Sequence, residues 1–133
     1  MQDEVAQSAV PWKKDLEAAW REIPKHYRNE YSVRRTLQCH LYGMLRNMGF
    51  RVVADYLPPR THDRPIDIIA LNEHQEIVFA VCLDTLVTLA AVKSLSSFES
   101  ANKVILTTGI MEKKVNESRF FLKPEVEHIH LQP

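Results

Sequence analysis

Asp67 follows Pro65 at the start of a predicted strand, and its carboxylate is a group that could take part in metal-assisted chemistry. Carboxylate oxygens are the ligands that hard divalent cations such as Mg²⁺ prefer, so Asp67 is a candidate ligand for such an ion. An aspartate just after a proline is also common as a turn residue that hydrogen-bonds nearby backbone. The residues alone leave both interpretations open.

Four arginines could contact phosphate groups. Arg60 and Arg64 lie in the loop Leu57–Pro65, and Arg34 and Arg35 lie near the start of a predicted helix. Guanidinium groups donate hydrogen bonds to phosphate oxygens, and such contacts position a nucleic acid on a protein. The whole chain has 17 basic and 17 acidic residues, so its net charge does not add support. These arginines predict either a nucleic-acid-binding patch or an ordinary mixed surface.

His128 and His130 alternate on the predicted last strand, which would place two imidazoles on one face, as transition-metal binding requires. No third ligand is evident in the nearby sequence, since Glu125 and Glu127 fall on the opposite face. A solvated edge strand is the simpler interpretation, and no metal site is predicted there.

These residues must be positioned by one α/β domain, which we expect over residues 11–133 after a flexible N-terminus at residues 1–10. A first helix is predicted from Pro11 up to Pro24. Two tryptophans, Trp12 and Trp20, lie on its apolar side and should pack onto the domain.

A second helix is predicted with Ser32 as its cap and Gly49 as its left-handed end residue. Apolar residues recur along it at helical spacing, namely Val33, Leu37, Leu41, Met44, Leu45 and Met48.

The remaining elements predict a mixed sheet with helices on both faces. Three strands in an antiparallel meander are expected at Phe50–Tyr56, Ile66–Leu71 and Glu76–Leu83. A helix at Thr85–Phe98, a strand at Lys103–Gly109, a short helix at Met111–Phe121 and a strand at Glu125–Leu131 follow. A helix that joins two strands of one sheet usually makes a parallel crossover, so the sheet should contain both strand directions.

This element order, over residues 32–109, resembles the αβββαβ core of the PD-(D/E)XK nuclease superfamily, the restriction-endonuclease-like fold. The resemblance depends on Pro65-Ile66-Asp67, on the strand Ile77–Leu83 and on Thr107-Thr108-Gly109 at the end of a later strand. It implies an Asp at the start of the second strand, and an acidic residue and a Lys separated by one residue on the third. In such a site two carboxylates hold Mg²⁺, and the lysine steadies the phosphate charge.

Two of those three residues are missing here. Asp67 matches the first position, but the alignment places Ala80 at the second carboxylate and Cys82 at the lysine. Ala80 cannot ligate a metal, and a neutral Cys82 is a poor replacement for a cation. Asp84 is the nearest substitute, about 7 Å along the strand from Cys82. Two further residues could supply relocated groups, Lys93 from the following helix and Glu30 from before the second helix.

The resemblance therefore favours a catalytically inactive nuclease-fold module without a cofactor. Its expected partner is DNA or RNA, or a protein of a nucleic-acid-processing complex. A Mg²⁺-dependent nuclease with residues relocated around Asp67 is the enzyme alternative. A scaffold or oligomerisation subunit, such as a homodimer without nucleic-acid contact, is the third.

The two cysteines, Cys39 and Cys82, lie within apolar runs, and no secretory signal is apparent. We therefore expect two buried free thiols in a soluble cytoplasmic protein. The longest apolar stretch, Ile77–Val92, is too short and too polar to span a bilayer, so no membrane contact is expected.

Overall fold

The computed structural model describes residues 11–61, 63–100 and 102–133, and the predicted flexible N-terminus at residues 1–10 lies outside these ranges. The described part forms an α/β fold in which four helices flank a five-stranded sheet. The helices are α1 (Trp12–Glu22), α2 (Glu30–Asn47), α3 (Leu89–Ser96) and α4 (Glu112–Ser118), with 3₁₀ turns at Lys25–Tyr27 and Arg119–Phe121. The strands are β1 (Arg51–Tyr56), β2 (Ile66–Leu71), β3 (Ile77–Asp84), β4 (Asn102–Thr107) and β5 (Val126–His130).

The strands lie in the sheet in their order along the chain, β1-β2-β3-β4-β5. The first three form the expected antiparallel meander, in which Ile69 on β2 pairs with Val53 on β1 and with Ala80 on β3. α3 then connects β3 to β4, and these two strands pair in parallel with Cys82 opposite Ile105. β5 also pairs in parallel with β4. The predicted mixed sheet with a parallel crossover is confirmed.

Helices cover both faces of the sheet, as predicted. α1 buries Trp12 and Trp20 against one face, where the ring of Trp12 lies 4.9 Å from that of Phe79. α3 covers the other face, over Ala80 and Cys82. Successive side chains of a strand point to opposite faces, so Phe79 enters one core and its neighbour Ala80 enters the other.

Asn29 caps α2, and the prediction of Ser32 as the cap was wrong. The Ser32 backbone N–H donates to Asn29 Oδ1 over 2.9 Å, and the Asn29 N–H donates to Ser32 Oγ over 3.0 Å. Ser32 is the third helical residue of this capping box because its hydroxyl can reach back to the cap. At the other end, Gly49 has a φ of +100°, the left-handed conformation predicted for it.

α3 is shorter than predicted. Thr88 caps it, since the Ala91 N–H donates to Thr88 Oγ1 over 3.1 Å. Val92 and Leu95 on this helix are buried, whereas Leu89 in its first turn is 48% exposed.

Cys39 is exposed, so the prediction of two buried thiols was wrong for this residue, while Cys82 is fully buried and both thiols are free. The helical phase explains the difference, because Leu37, Gln38 and Leu41 face the core and Cys39 falls on the solvent side. Within the described ranges, no helix is both long and apolar enough to cross a membrane.

Candidate functional site around Asp67

A cavity of about 240 Å³ opens at the end of β3, between the first turns of α2 and the start of β2. It contains Asp67 and Asp84 together with three of the arginines predicted to contact phosphate. Its lining is Tyr31, Arg34, Arg35, Gln38, Arg64, Asp67, Leu83 and Asp84. We call this space the Asp67 cavity.

Asp67 holds the start of β2 against the end of β3. Its Oδ2 atom accepts the backbone N–H of Leu83 over 2.6 Å, a bond between residues 16 apart in the chain. Its backbone carbonyl accepts the side-chain amide of Gln38 over 2.8 Å. Asp67 therefore makes hydrogen bonds to residues distant in the chain, and not only the local turn bonds that a residue after a proline often makes.

Arg64 lies between the two carboxylates. Its Nη2 atom is 2.8 Å from Asp67 Oδ2 and 3.2 Å from Asp84 Oδ2, and it also donates to the carbonyl of Leu83 over 3.2 Å. Two further hydrogen bonds hold this arginine in place. Its Nη1 atom donates to the carbonyl of Pro65 in the same loop, and Ser94 Oγ on α3 donates to the carbonyl of Arg64 over 2.6 Å. Only 16% of the Arg64 side chain is exposed. Its guanidinium, which was predicted to contact phosphate, instead contacts the carboxylates within the site.

Asp84, the nearest of the possible substitutes for the missing site residues, lies close to Asp67. Both Oδ2 atoms contact the same Arg64 nitrogen, at 2.8 and 3.2 Å, so they are at most about 6 Å apart. Burial raises the pKa of Asp84, and the nearby negative charge of Asp67 acts in the same direction, while Arg64 opposes both. Arg64 thus favours the ionised form of Asp84 in a site largely withdrawn from water.

Ala80 and Cys82 take no part in this polar group. Both are fully buried in the core beneath α3. Burial raises the pKa of the Cys82 thiol to about 12, so it is protonated and neutral. Ala80 and Cys82, which the sequence alignment placed at the carboxylate and lysine positions of a nuclease site, are therefore part of an apolar core.

The other two candidate substitutes lie elsewhere. Glu30 is exposed at the start of α2 and lines a different, larger cavity of about 440 Å³ with Trp20, Val33 and Leu131. Lys93 is exposed on α3, and its neighbour Ser94 is the residue that contacts the Arg64 loop. Neither side chain is in the described lining of the Asp67 cavity. The larger cavity is mostly apolar and contains neither Asp67 nor Asp84, so we place the chemistry at the smaller one.

The remaining predicted arginines differ in their surroundings. Arg34 lies at the rim of the Asp67 cavity with its Nη1 atom 3.9 Å from Asp84 Oδ1. Arg35 is paired with Asp55 at 3.2 Å, and both side chains are almost half exposed. Arg60 is exposed in the loop before β2, outside the cavity lining. The structure brings Arg34, Arg35 and Arg64 together and leaves Arg60 apart.

Gln38 and Tyr31 belong to the site but were not predicted from the sequence. Gln38 is only 4% exposed, and its amide joins Asp55 Oδ1 and the carbonyl of Asp67, each over 2.8 Å. A glutamine next to Leu37 on the buried side of the helix was the available signal, because buried polar groups need partners. Tyr31 lies in the cavity lining although 65% exposed.

His128 and His130 share one face of β5, as predicted, but they surround a threonine. Thr107 Oγ1 is 2.9 Å from His128 Nε2 and 2.9 Å from His130 Nδ1. Arg119 Nη1, which can only donate, lies 3.1 Å from His128 Nδ1, so His128 carries its proton on Nε2. In the part of the chain that the structure describes, no cluster of three His, Cys, Asp or Glu side chains could hold a metal ion.

No protein-family model and no curated protein matches this chain. Its function must therefore be inferred from the site itself, a pair of carboxylates bridged by an arginine and bordered by two further arginines and a tyrosine.

Proposed function

We propose that this chain is a non-catalytic nucleic-acid-binding module with a restriction-endonuclease-like core. The element order supports this proposal, since α2 is followed by the β1–β2–β3 meander, by α3 and by the parallel strand β4. Asp67 at the start of β2 lies beside the end of β3, which is the relation that the resemblance implies. Fold alone does not define a function, so the argument depends on the site.

The observation on which the proposal depends is the position of Arg64. Its guanidinium contacts Asp67 and Asp84 where a nuclease would need a divalent cation. Hard cations require several oxygen ligands, but Ala80 supplies none and Cys82 presents a buried neutral thiol. Arginine remains charged at any ordinary pH, so Arg64 permanently offsets part of the negative charge of the two carboxylates. The residues present do not fit a Mg²⁺ centre.

Arg34 and Arg35 support binding to a nucleic acid. Both line the Asp67 cavity, and about a third or more of each side chain is exposed. Arginine forks match phosphate oxygens, and contacts of this kind account for most sequence-independent affinity. Their carboxylate neighbours, Asp84 at 3.9 Å and Asp55 at 3.2 Å, can be exchanged for phosphate when a strand approaches.

The proposal is tested by measuring binding and cleavage together. Labelled DNA and RNA should bind with an affinity that falls as salt rises, because phosphate contacts release counterions. Arg34→Ala with Arg35→Ala should weaken binding to any sequence and reduce the salt dependence, while Arg60→Ala is a matched control outside the cavity. Neither DNA nor RNA should be cleaved with Mg²⁺ or Mn²⁺. A protein that binds no nucleic acid at low salt would instead favour a scaffold subunit.

A second candidate, a nuclease with a relocated site, is favoured by one observation: Asp84 approaches Asp67 to within about 6 Å. Cleavage that EDTA abolishes and that is lost in both Asp67→Ala and Asp84→Asn would support it and overturn our proposal. Each variant must be compared with wild-type protein purified in parallel, since contaminating nucleases imitate weak activity.

A further inference from the structure

The segment of residues 25–35, whose later part borders the Asp67 cavity, exposes two aromatic rings. Tyr27 ends the first 3₁₀ turn and is 70% exposed, and Tyr31 in the first turn of α2 is 65% exposed. Tyr31 lines the cavity beside Arg34 and Arg35. Single exposed apolar residues are ordinary, but here two exposed rings lie within one short segment that also contains several basic side chains.

The same segment has a basic excess that the whole chain lacks. It contains four basic residues and one acidic residue, a net charge of +3, in a chain whose formal net charge is zero. The basic residues are Lys25, Arg28, Arg34 and Arg35, and the acidic one is Glu30. Local positive charge interleaved with aromatic rings suits a ligand that combines phosphate with flat bases.

The backbone beneath the rings is held firmly, although the rings themselves are exposed. Ser32 Oγ donates to the carbonyl of Tyr27 over 2.6 Å, and the capping box with Asn29 fixes the start of α2. The Arg28 guanidinium donates to the carbonyls of Ile23 and Arg21, each over 2.7 Å. Because the surface is already ordered, binding to it has a small conformational entropy cost.

We propose that Tyr27 and Tyr31 form a stacking surface for the bases of a single-stranded nucleic acid whose phosphates contact the neighbouring arginines. This inference depends on the proposed function and defines its ligand as an unpaired strand. Base stacking on a protein ring requires a face of the base that is free, which an intact duplex offers only at its ends. Stacking is also tolerant of sequence, because every base has a flat face.

The experiment compares the fluorescence anisotropy of labelled oligo-dT and oligo-U, each of about 12 nucleotides, with that of a blunt-ended duplex of about 12 base pairs, which has no unpaired loop. Tyr27→Ala and Tyr31→Ala should each weaken binding of the single strands by about 5-fold or more, with a much smaller effect on the duplex. Tyr27→Phe and Tyr31→Phe keep the ring and should retain most of the affinity. Phe120→Ala removes an 86% exposed ring elsewhere in the fold and should change nothing. The two single strands distinguish a DNA ligand from an RNA ligand.

The failures of the two proposals can be distinguished. If wild-type protein binds nucleic acid but the tyrosine variants bind as well as Phe120→Ala, the stacking surface is wrong and the proposed function stands. Equal losses on duplex and single strand would also overturn stacking. If wild-type protein binds none of the three probes, both proposals fail. Melting curves for each variant exclude unfolding as the cause, because both rings are exposed and their removal should leave stability nearly unchanged.

Discussion

The carboxylate of Asp67 accepts the backbone N–H of Leu83 over 2.6 Å, which joins the beginning of β2 to the end of β3. The same oxygen accepts Arg64 Nη2 over 2.8 Å. Asp67 therefore has a structural role that needs no bound ion, because it satisfies a backbone donor and a buried guanidinium together. An aspartate at this position therefore does not by itself indicate a nuclease.

Arg64→Ala should destabilise the fold by about 2–5 kcal/mol, because it leaves Asp67 and Asp84 close together without their shared cation. Arg60→Ala, in the same loop but exposed, should change stability by less than about 0.5 kcal/mol. Urea denaturation at pH 7 measures both values.

A double-mutant cycle with Asp84→Asn separates charge repulsion from lost packing. In the Arg64→Ala background, Asp84→Asn should restore part of the stability, since it removes one of the two unpaired charges. Additive effects of the two changes would show that Arg64 and Asp84 are not coupled and would contradict the bridging role.

The sequence predicted the sheet and Asp67 but not the arginine bridge. Asp67 was identified from the resemblance to the nuclease family, and Asp84 from its spacing along the same strand as Cys82. The orientation of Arg64 depends on the path of a proline-rich loop and on the contact with Ser94, which no local pattern encodes. Gln38 was missed because an apolar stripe predicts which side chains are buried but not which polar group is buried with them.

Helix phase explains why one cysteine was assigned correctly and the other was not. Cys82 lies on a strand that is buried on both faces, where all positions except the two ends are withdrawn from water. Cys39 lies on a helix with one buried side, where a shift of one residue moves a side chain to solvent. Apolar neighbours in sequence are therefore a better guide to burial in a central strand than on a helix.

The two thiols should react with alkylating reagents at very different rates. Cys39 is exposed, while Cys82 is fully buried and its pKa is raised to about 12, so little of it is thiolate. Iodoacetamide should modify one thiol in the native protein and two after unfolding, and mass spectrometry counts them. Cys39→Ser should abolish the native reaction, and native labelling of that variant would place Cys82 at the surface.

Leu41→Ala should destabilise the protein by about 2–5 kcal/mol, as truncations in a well-packed core do. Leu41 is fully buried between α2 and the sheet, which confirms its predicted place in the core. Met48→Ala is the matched control, because Met48 lies just after the end of α2 and is 50% exposed. This substitution should have a small effect. Similar melting temperatures for the two variants would show that the assigned helix phase is incorrect.

Acid should destabilise the fold through His128. Burial lowers the pKa of His128 to about 4, and the charges of Arg119 and His130 act in the same direction. The unfolded chain, with an ordinary histidine pKa of about 6.5, therefore binds more protons than the folded chain between about pH 6.5 and 4. The contribution of neutral His128 to the free energy of unfolding is therefore fully present above about pH 6.5 and decreases as the pH falls toward about 4.

His128→Gln tests that dependence, because the glutamine amide can donate to Thr107 and accept from Arg119 as the neutral imidazole does. The urea midpoint of the variant should decrease less than that of wild type between pH 7 and pH 5. His74→Gln, on the exposed β2–β3 turn, controls for the loss of a histidine as such. Asp84, whose pKa is raised by burial, acts in the opposite sense and is present in all three proteins. Parallel pH profiles for wild type and His128→Gln would show that the buried His128–Thr107 contact does not control the acid response.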